Sequence, residues 1–197
     1  MGMAAHRKHD TDLILDSARA LVLRVGPRAA SVKAIAAASG APVGTLYHRF
    51  GSRDGVLAAA WLRALERFAE RAMASARAGA GPVESAAGMS AAAIGFARDE
   101  PDDAQLLLSV RRDDLLDAAP GDDFRTRLDE INTPLAAELR RIARELHGRA
   151  GERAVETVTR AVVDVPYAAI RRRGRDLPAW LEEDVAASTR ALLQPRI

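Results

Sequence analysis

An all-α fold follows from three features of this 197-residue chain. Apolar residues recur at three- and four-residue spacing, strand-like alternation of apolar and polar residues is absent, and alanine, the strongest helix former, runs throughout. The length fits one or two domains with a sizeable core. With no cysteine, a disulfide framework, a thiolate zinc site and a cysteine nucleophile are excluded, which is compatible with a reducing cytosol. Charges interrupt every apolar run before it reaches the roughly 18 residues of a membrane span, and the first dozen residues, MGMAAHRKHDTD, lack the apolar run of a signal peptide. A soluble, cytoplasmic protein without a membrane partner is expected.

The elements read in order as follows. A first helix starts at Thr11 or Asp12, carries Leu13, Ile14, Ala18, Leu21, Val22 and Val25 as its apolar stripe, and stops at Gly26-Pro27. The His6-Arg7-Lys8-His9 segment before it reads either as an arm near phosphates or as a solvated tail. Ser31 caps a second helix, in which Val32, Ile35, Ala36 and Ser39 fall on one narrow face. Gly40 ends that helix, and Pro42 suits the first position of a third, spanning 43–50, because its missing N–H costs nothing there. Ser52 caps a long helix to about residue 78, with Val56, Leu57, Ala60, Trp61, Ala64, Leu65, Phe68 and Ala72 in helical register. Gly79-Ala80-Gly81-Pro82 breaks the chain.

Further helices are expected over 83–99, 102–117 and 122–148. Pro134 should kink or break the last of these near Asn132, with Thr133 capping a restart. Helices over 151–170 and 178–193 close the chain. The first carries Val155, Val158, Val162, Val165 and Ala169 as a stripe, the second Leu181, Val185, Ser188 and Leu192. Each stripe could be the chain's own core, but the reading as a dimer surface is favoured. Arg171-Arg172-Arg173 reads as a solvated helix end favoured by the helix dipole.

Residues 31–50 have the layout of a helix-turn-helix. Leu46 and Phe50 lie four apart and point inward, which leaves Gly44, Thr45, Tyr47, His48 and Arg49 on the remaining surface. Small residues at the start of that helix allow close approach to base edges in a DNA major groove, and Tyr47, His48 and Arg49 can donate to phosphates. Two short helices joined by a turn also occur as a plain surface hairpin. Charge favours the first reading. Residues 1–57 hold eight Lys and Arg against four acids, whereas the rest holds 21 against 23, so the positive excess lies on this segment.

From Ile14 to Leu57 the chain resembles the N-terminal DNA-binding region of the TetR family of bacterial transcriptional regulators. The resemblance is carried by KAIAAASGAPVGTLYHRFGSRDGVL, and above all by the T-L-Y-x-x-F-x-S-x-x-x-x-L pattern of Thr45, Leu46, Tyr47, Phe50, Ser52 and Leu57. Three departures stand out. His48-Arg49 replaces the usual aromatic-His pair, Gly51 stands where Lys is frequent, and Gly55 stands where an acid is common.

The resemblance implies an N-terminal three-helix unit with the helix-turn-helix, over 1–55, and a larger helical effector-binding and dimerisation domain over 56–197. It implies contacts to double-stranded operator DNA from Lys33, Gly44, Thr45, Tyr47, His48, Arg49 and Arg53. It also implies an effector pocket among the middle helices, for which Trp61, Leu65, Phe68, Met89, Phe96, Leu107 and Tyr167 are candidates, although count alone makes them ordinary core. The two C-terminal helices would build a homodimer interface, with Val158, Val162, Val165, Leu181, Val185 and Leu192 as candidates. The implied function is a ligand-responsive regulator, a repressor released from its operator by a small apolar or aromatic effector.

Two rival classes remain at this stage, a small all-helical enzyme and a structural partner-binding module. For the enzyme, no catalytic residue, cofactor or metal site is expected. There is no G-x-x-x-x-G-K, no H-E-x-x-H and no G-x-S-x-G; Gly88-Met89-Ser90-Ala91-Ala92 comes nearest and lies in a helical pattern. His6, His9, His48 and His147 are too scattered for a metal site. The structural module leaves the surface from Thr45 to Arg49 unexplained.

Overall fold

The structure, a computed structural model, describes residues 2–110, 115 and 122–194, with the side chains of 2–10 and 122 outside the description. It is all-helical. We number the helices α1 (Gly2–Val25), α2 (Val32–Ser39), α3 (Val43–Phe50), α4 (Arg53–Ala78), α5 (Pro82–Asp99), α6 (Pro101–Ser109), α7 (Asp122–His147), α8 (Glu152–Thr159), α9 (Val165–Arg173) and α10 (Trp180–Leu193), with a π-helical turn over Arg160–Asp164 joining α8 to α9. Among the described residues, no helix is long and apolar enough to cross a membrane. The chain forms two compact units, one of residues 1–65 with 102–128, the other of 66–101 with 129–197. Their boundaries fall inside α4 and α7 and at the start of α6.

In the first unit, α1 starts at Gly2, about nine residues before the expected Thr11 or Asp12. Nothing from Gly2 to Asp10 breaks a helix, and the capping residues at 11 and 12 are absorbed into its interior. Ile14, Leu15, Ala18, Leu21 and Val22 form its buried face. Leu13 and Val25, expected on that face, are exposed, and Leu15 takes an inner position: Leu13 lies beyond the edge of the buried stripe, whereas Val25 shares its direction but is the last residue of the helix. Gly26 then takes a φ of +83° and donates to the Val22 carbonyl at 2.8 Å, closing the helix. Val56, Leu57, Ala60, Trp61 and Ala64 of α4 are all buried in the expected register. The expected run of α6 beyond Val110 lies outside the described residues.

In the second unit, α5 is buried on nearly every side, with eleven of its eighteen residues inaccessible. Ala76, Ala86, Met89, Ile142, Ala143, Val158, Ala161, Val162 and Leu193 form one apolar cluster, drawn from α4, α5, α7, α8, the π turn and α10. Small residues permit the approach: a Cβ on Gly88 would come within 2.9 Å of the Ser75 carbonyl. Pro134 does not break α7, which is continuous from Asp122 to His147. Glu130, whose carbonyl loses its donor to that proline, and Pro134 itself both face solvent, where water replaces the missing bond.

The π turn has a local cause in Pro166, a residue that the stripe pattern conceals. Val165 N–H bonds to the Arg160 carbonyl, one residue further back than in an α-helix. The Ala161 carbonyl therefore loses its α-helical donor, and its π-helical donor would be Pro166, which has no N–H. Thr189, fully buried on α10, supplies the replacement: its Oγ1 lies 3.1 Å from the Ala161 oxygen and 2.8 Å from Ser90 Oγ of α5. One hydroxyl thus ties three helical segments together.

Two outcomes follow for this unit. Thr189→Val keeps the shape and orphans a buried carbonyl, so urea denaturation should show a loss of about 1–3 kcal/mol, largely recovered in Thr189→Ser. Glu84 accepts from Arg190 Nε at 2.8 Å and Nη2 at 2.9 Å, and these bonds hold its carboxyl below its usual value of 4.5. A carboxylate depressed on folding adds stability above its unfolded pKa, and that stability is lost as pH falls through the folded value. The melting temperature of Glu84→Gln should therefore lie below wild type at neutral pH and converge with it in acid.

Candidate nucleic-acid interface

The site grows out of two short helices held by their ends. Ser31 Oγ accepts from the Ala34 N–H at 3.2 Å and starts α2, whose Val32, Ile35, Ala36 and Ser39 are its buried residues, as the sequence pattern requires. Gly40 ends it with φ +70°, in the left-handed region. Ser39 Oγ then accepts from the Ala41 N–H at 3.3 Å and donates to the Ala36 carbonyl at 3.4 Å, which fixes the turn from within. Pro42 is the N-cap of α3, not its first helical residue, because its ψ of 141° is extended. Its carbonyl takes the first bonds, from Thr45 N–H at 2.9 Å and Leu46 N–H at 3.4 Å.

Leu46 is the single buried residue of α3. Tyr47, 52% exposed, stands out from the surface, together with Val43, Gly44 and His48. Thr45, Arg49 and Phe50 are half-buried. Thr45 and Arg49, one turn apart, line a cleft of about 210 Å³ with Leu13 and Ile14 of α1 and with the turn residues Ser39, Gly40, Ala41 and Pro42. Arg49 is steadied there by donating from Nη1 to Thr11 Oγ1 at 3.0 Å. Lys33 is exposed near the start of α2. The result is a polar ridge of small, aromatic and cationic groups whose backbone is set by buried neighbours.

Arg53 is placed differently from the other candidate contacts. Its Nε donates to the Ala30 carbonyl at 2.7 Å, its Nη2 to the Pro27 carbonyl, and its Nη1 to Asp54 at 2.5 Å. All three of its nitrogens are thus committed to the α1–α2 loop and to its own helix start. The departures at Gly51 and Gly55 also have local reasons. Gly51 carries φ +71° as the C-cap of α3, and a Cβ on Gly55 would sit 1.9 Å from the Phe50 carbonyl oxygen, so the chain passes too close there for a side chain. Ser52 caps α4 as expected, accepting from the Gly55 N–H at 3.0 Å.

The candidates for the effector and for the partner surface lie as follows. In the first unit Trp61 is buried, with its ring 6.5 Å from that of Phe124 and its indole N–H without an acceptor, while Leu65 and Leu107 are half-buried. In the second, Phe68 meets Phe96 edge-on at 5.6 Å and Met89 is buried. Tyr167 is exposed, its hydroxyl accepting from Arg171 Nη1 at 3.1 Å. Val158, Val162, Leu181 and Val185 are buried within the chain's own packing and Val165 is half-buried, whereas Leu192 is 44% exposed. Val163 and Trp180 are exposed apolar residues on the same helices that the stripe pattern passed over. Nothing in the sequence separates an apolar residue facing its own core from one facing a partner.

The N-terminal unit thus carries two short helices joined by a tight turn, the layout of a helix-turn-helix. Residues 14–60 match the family described as bacterial regulatory proteins, tetR family. No curated protein matches the chain. Among solved structures, the fold is similar to that of a putative transcriptional regulator from Pseudomonas aeruginosa PAO1 (18% identity, TM-score 0.72), with 95% of this chain and 89% of that one covered. It is also similar to the TetR family transcriptional regulator PfmR from Thermus thermophilus (25% identity, TM-score 0.63, 91% and 96% covered). A third similar structure is the transcriptional regulator FadR from Bacillus subtilis in complex with stearoyl-CoA (18% identity, TM-score 0.61, 92% and 94% covered). The family match thus covers residues 14–60, and over the rest of the chain the likeness to these regulators is one of fold.

The placement of Arg53 separates it experimentally from its neighbours. Arg53→Ala should lower the melting temperature by several degrees through loss of loop-holding bonds, about 1–3 kcal/mol. Lys33→Ala, at an exposed position, should leave the melting temperature within about a degree of wild type. Gly55→Ala should destabilise more than either, since backbone must move to admit a methyl group.

Proposed function

We propose that the chain is a homodimeric repressor that reads a near-palindromic operator with α3 and is released by a small apolar effector. The observation that carries this reading is the exposure pattern of α3, which buries Leu46 alone and leaves Gly44, Thr45, Tyr47, His48 and Arg49 to solvent or to an open cleft. Gly44 and Thr45 lie where base edges would be met, and Lys33, Tyr47, His48 and Arg49 would hold phosphates. Arg53 acts by holding the loop behind them. In this reading residues 1–55 form the DNA-reading part and 56–197 the effector-binding and dimerising part.

For the dimer, exposed apolar groups are available at Val163 of the π turn and Tyr167 of α9, four residues apart, and at Trp180 and Leu192 of α10. Exposed Ala187, Ser188 and Ala191 beside Leu192 allow close helix approach. A two-fold pair built through such a face reads two half-sites about one DNA turn apart, or a multiple of that. For the effector, Trp61, Leu65 and Leu107 supply apolar and aromatic surface in the first unit, where the unpaired Trp61 N–H supplies a donor, and Phe68, Met89 and Phe96 supply such surface in the second. An apolar molecule bearing one hydrogen-bond acceptor matches that chemistry. The stearoyl-CoA bound by the Bacillus subtilis regulator is a molecule with a long apolar tail and is consistent with this class.

An electrophoretic shift with the DNA upstream of the chain's own gene tests the reading, and absence of a shift at moderate salt would refute it. In that assay Lys33→Ala should weaken binding to all sequences and reduce the salt slope by about one, as one phosphate contact is lost. Thr45→Ala should instead relax preference at one operator position, by about 1–3 kcal/mol. Tyr167→Arg or Leu192→Arg should give folded monomers in light scattering, whereas Val185→Arg, which buries a charge in the chain's own core, should unfold.

A further inference from the structure

Asp103, 1% exposed, is the only charged residue in the buried set of the described residues. It lies in the first turn of α6 and forms an ion pair with Arg19 Nη1 of α1. Arg19 also reaches Asp16 at 3.5 Å, Asp16 accepts from Arg63 Nη2 of α4 at 2.5 Å, and Arg63 Nη1 reaches Asp12 at 3.0 Å. The three α1 residues, Asp12, Asp16 and Arg19, are spaced four and three apart and so form one polar stripe along the helix. Thr11, the residue before Asp12 and about 100° round the helix from that stripe, accepts the bond from Arg49 of α3. α1 thus carries both the ion pairs to α4 and α6 and, on another face, the Thr11 bond to α3, all within the first compact unit.

A buried ion pair adds little net stability over apolar side chains of the same size, because desolvation offsets the attraction. What it supplies is direction: a guanidinium fork that holds two carboxylates at once tolerates few relative positions. We infer that Arg19 and Asp103 are positioning residues for DNA reading, fixing α1 against α6 so that α1 presents α3 in the pose the operator requires. This inference rests on the DNA-binding reading given above. It makes segment 102–128, remote in sequence from the reading helix, part of the body that orients it.

The test compares wild type with Arg19→Met/Asp103→Leu, which removes both charges without leaving one buried alone. Operator affinity of the full chain, measured by anisotropy, should fall about tenfold in the double variant, the size of a remote positioning effect, with the melting temperature kept. Its salt slope should not change, because no phosphate contact is lost. A folded double variant with wild-type affinity, or an affinity loss accompanied by a reduced slope, overturns the inference. Should the double variant not fold, Arg19→Lys keeps a cation for Asp103 but not the fork, and it should weaken operator binding about threefold; unchanged affinity overturns the inference equally. If wild type binds no upstream DNA, the DNA-binding reading fails, and hydrogen exchange on the DNA-free protein still decides the mechanical claim. Amides of α1 to α3 should then exchange at least about fivefold faster in the variants while those of α5 and α10 do not, and equal rates in α1 to α3 refute it.

Discussion

The exposed surface of α3 depends on one constraint: the helix is eight residues long and buries one side chain. A helix that short has no stability of its own in water, since the nucleation cost exceeds what two turns return. Its shape must therefore be imposed by its surroundings. Leu46 anchors it from below, the Pro42 carbonyl and the Gly51 N–H close its two ends, and Arg49 ties its side to Thr11. Because Leu46 alone is buried, Val43, Gly44, Tyr47 and His48 remain exposed at the surface. Gly40 and Ser39 set the angle at which it leaves α2, and the three bonds of Arg53 hold the loop behind α2.

The second unit solves a different problem. Its core is built from alanine and valine more than from large side chains, so helices must lie close, and each polar group caught between them needs a partner. Ser85 donates to the Ala76 carbonyl at 2.8 Å, and Ser90 and Thr189 share a bond beneath α10. The π turn is the sharpest case. Pro166 removes a donor in the middle of a packed helix, the ladder slips by one residue, and a hydroxyl from another helix takes the carbonyl left behind. Ionic pairs lie at the margins of this unit, where Arg71 donates to Asp99 at 2.7 Å and Arg98 reaches Glu182 at 2.8 Å. Asp99 is held below its usual carboxylate value mainly by that Arg71 bond.

The sequence by itself determined what is local. The cap at Ser31, the stop at Gly40, the inward Leu46, the cap at Ser52 and the register of α4 were all legible, because each rests on contacts within four residues along the chain. So was the exposure of Gly44, Tyr47 and His48, since the residues of a short helix that lie off its buried side turn outward. The tertiary structure alone decided matters that depend on residues far apart in sequence. Apolar Val185 and Leu192 share one stripe, yet the first is buried by α10's own neighbours and the second is not, and periodicity cannot distinguish the two. Arg53 looked like a phosphate donor until the carbonyls of Pro27 and Ala30 came within reach. Asp103 carries no distinguishing signal in the sequence, and folding makes it a buried ion-pair partner by bringing Arg19 to it across more than eighty residues of chain. Pattern records which way a side chain faces from its own helix; only folding settles what stands opposite it.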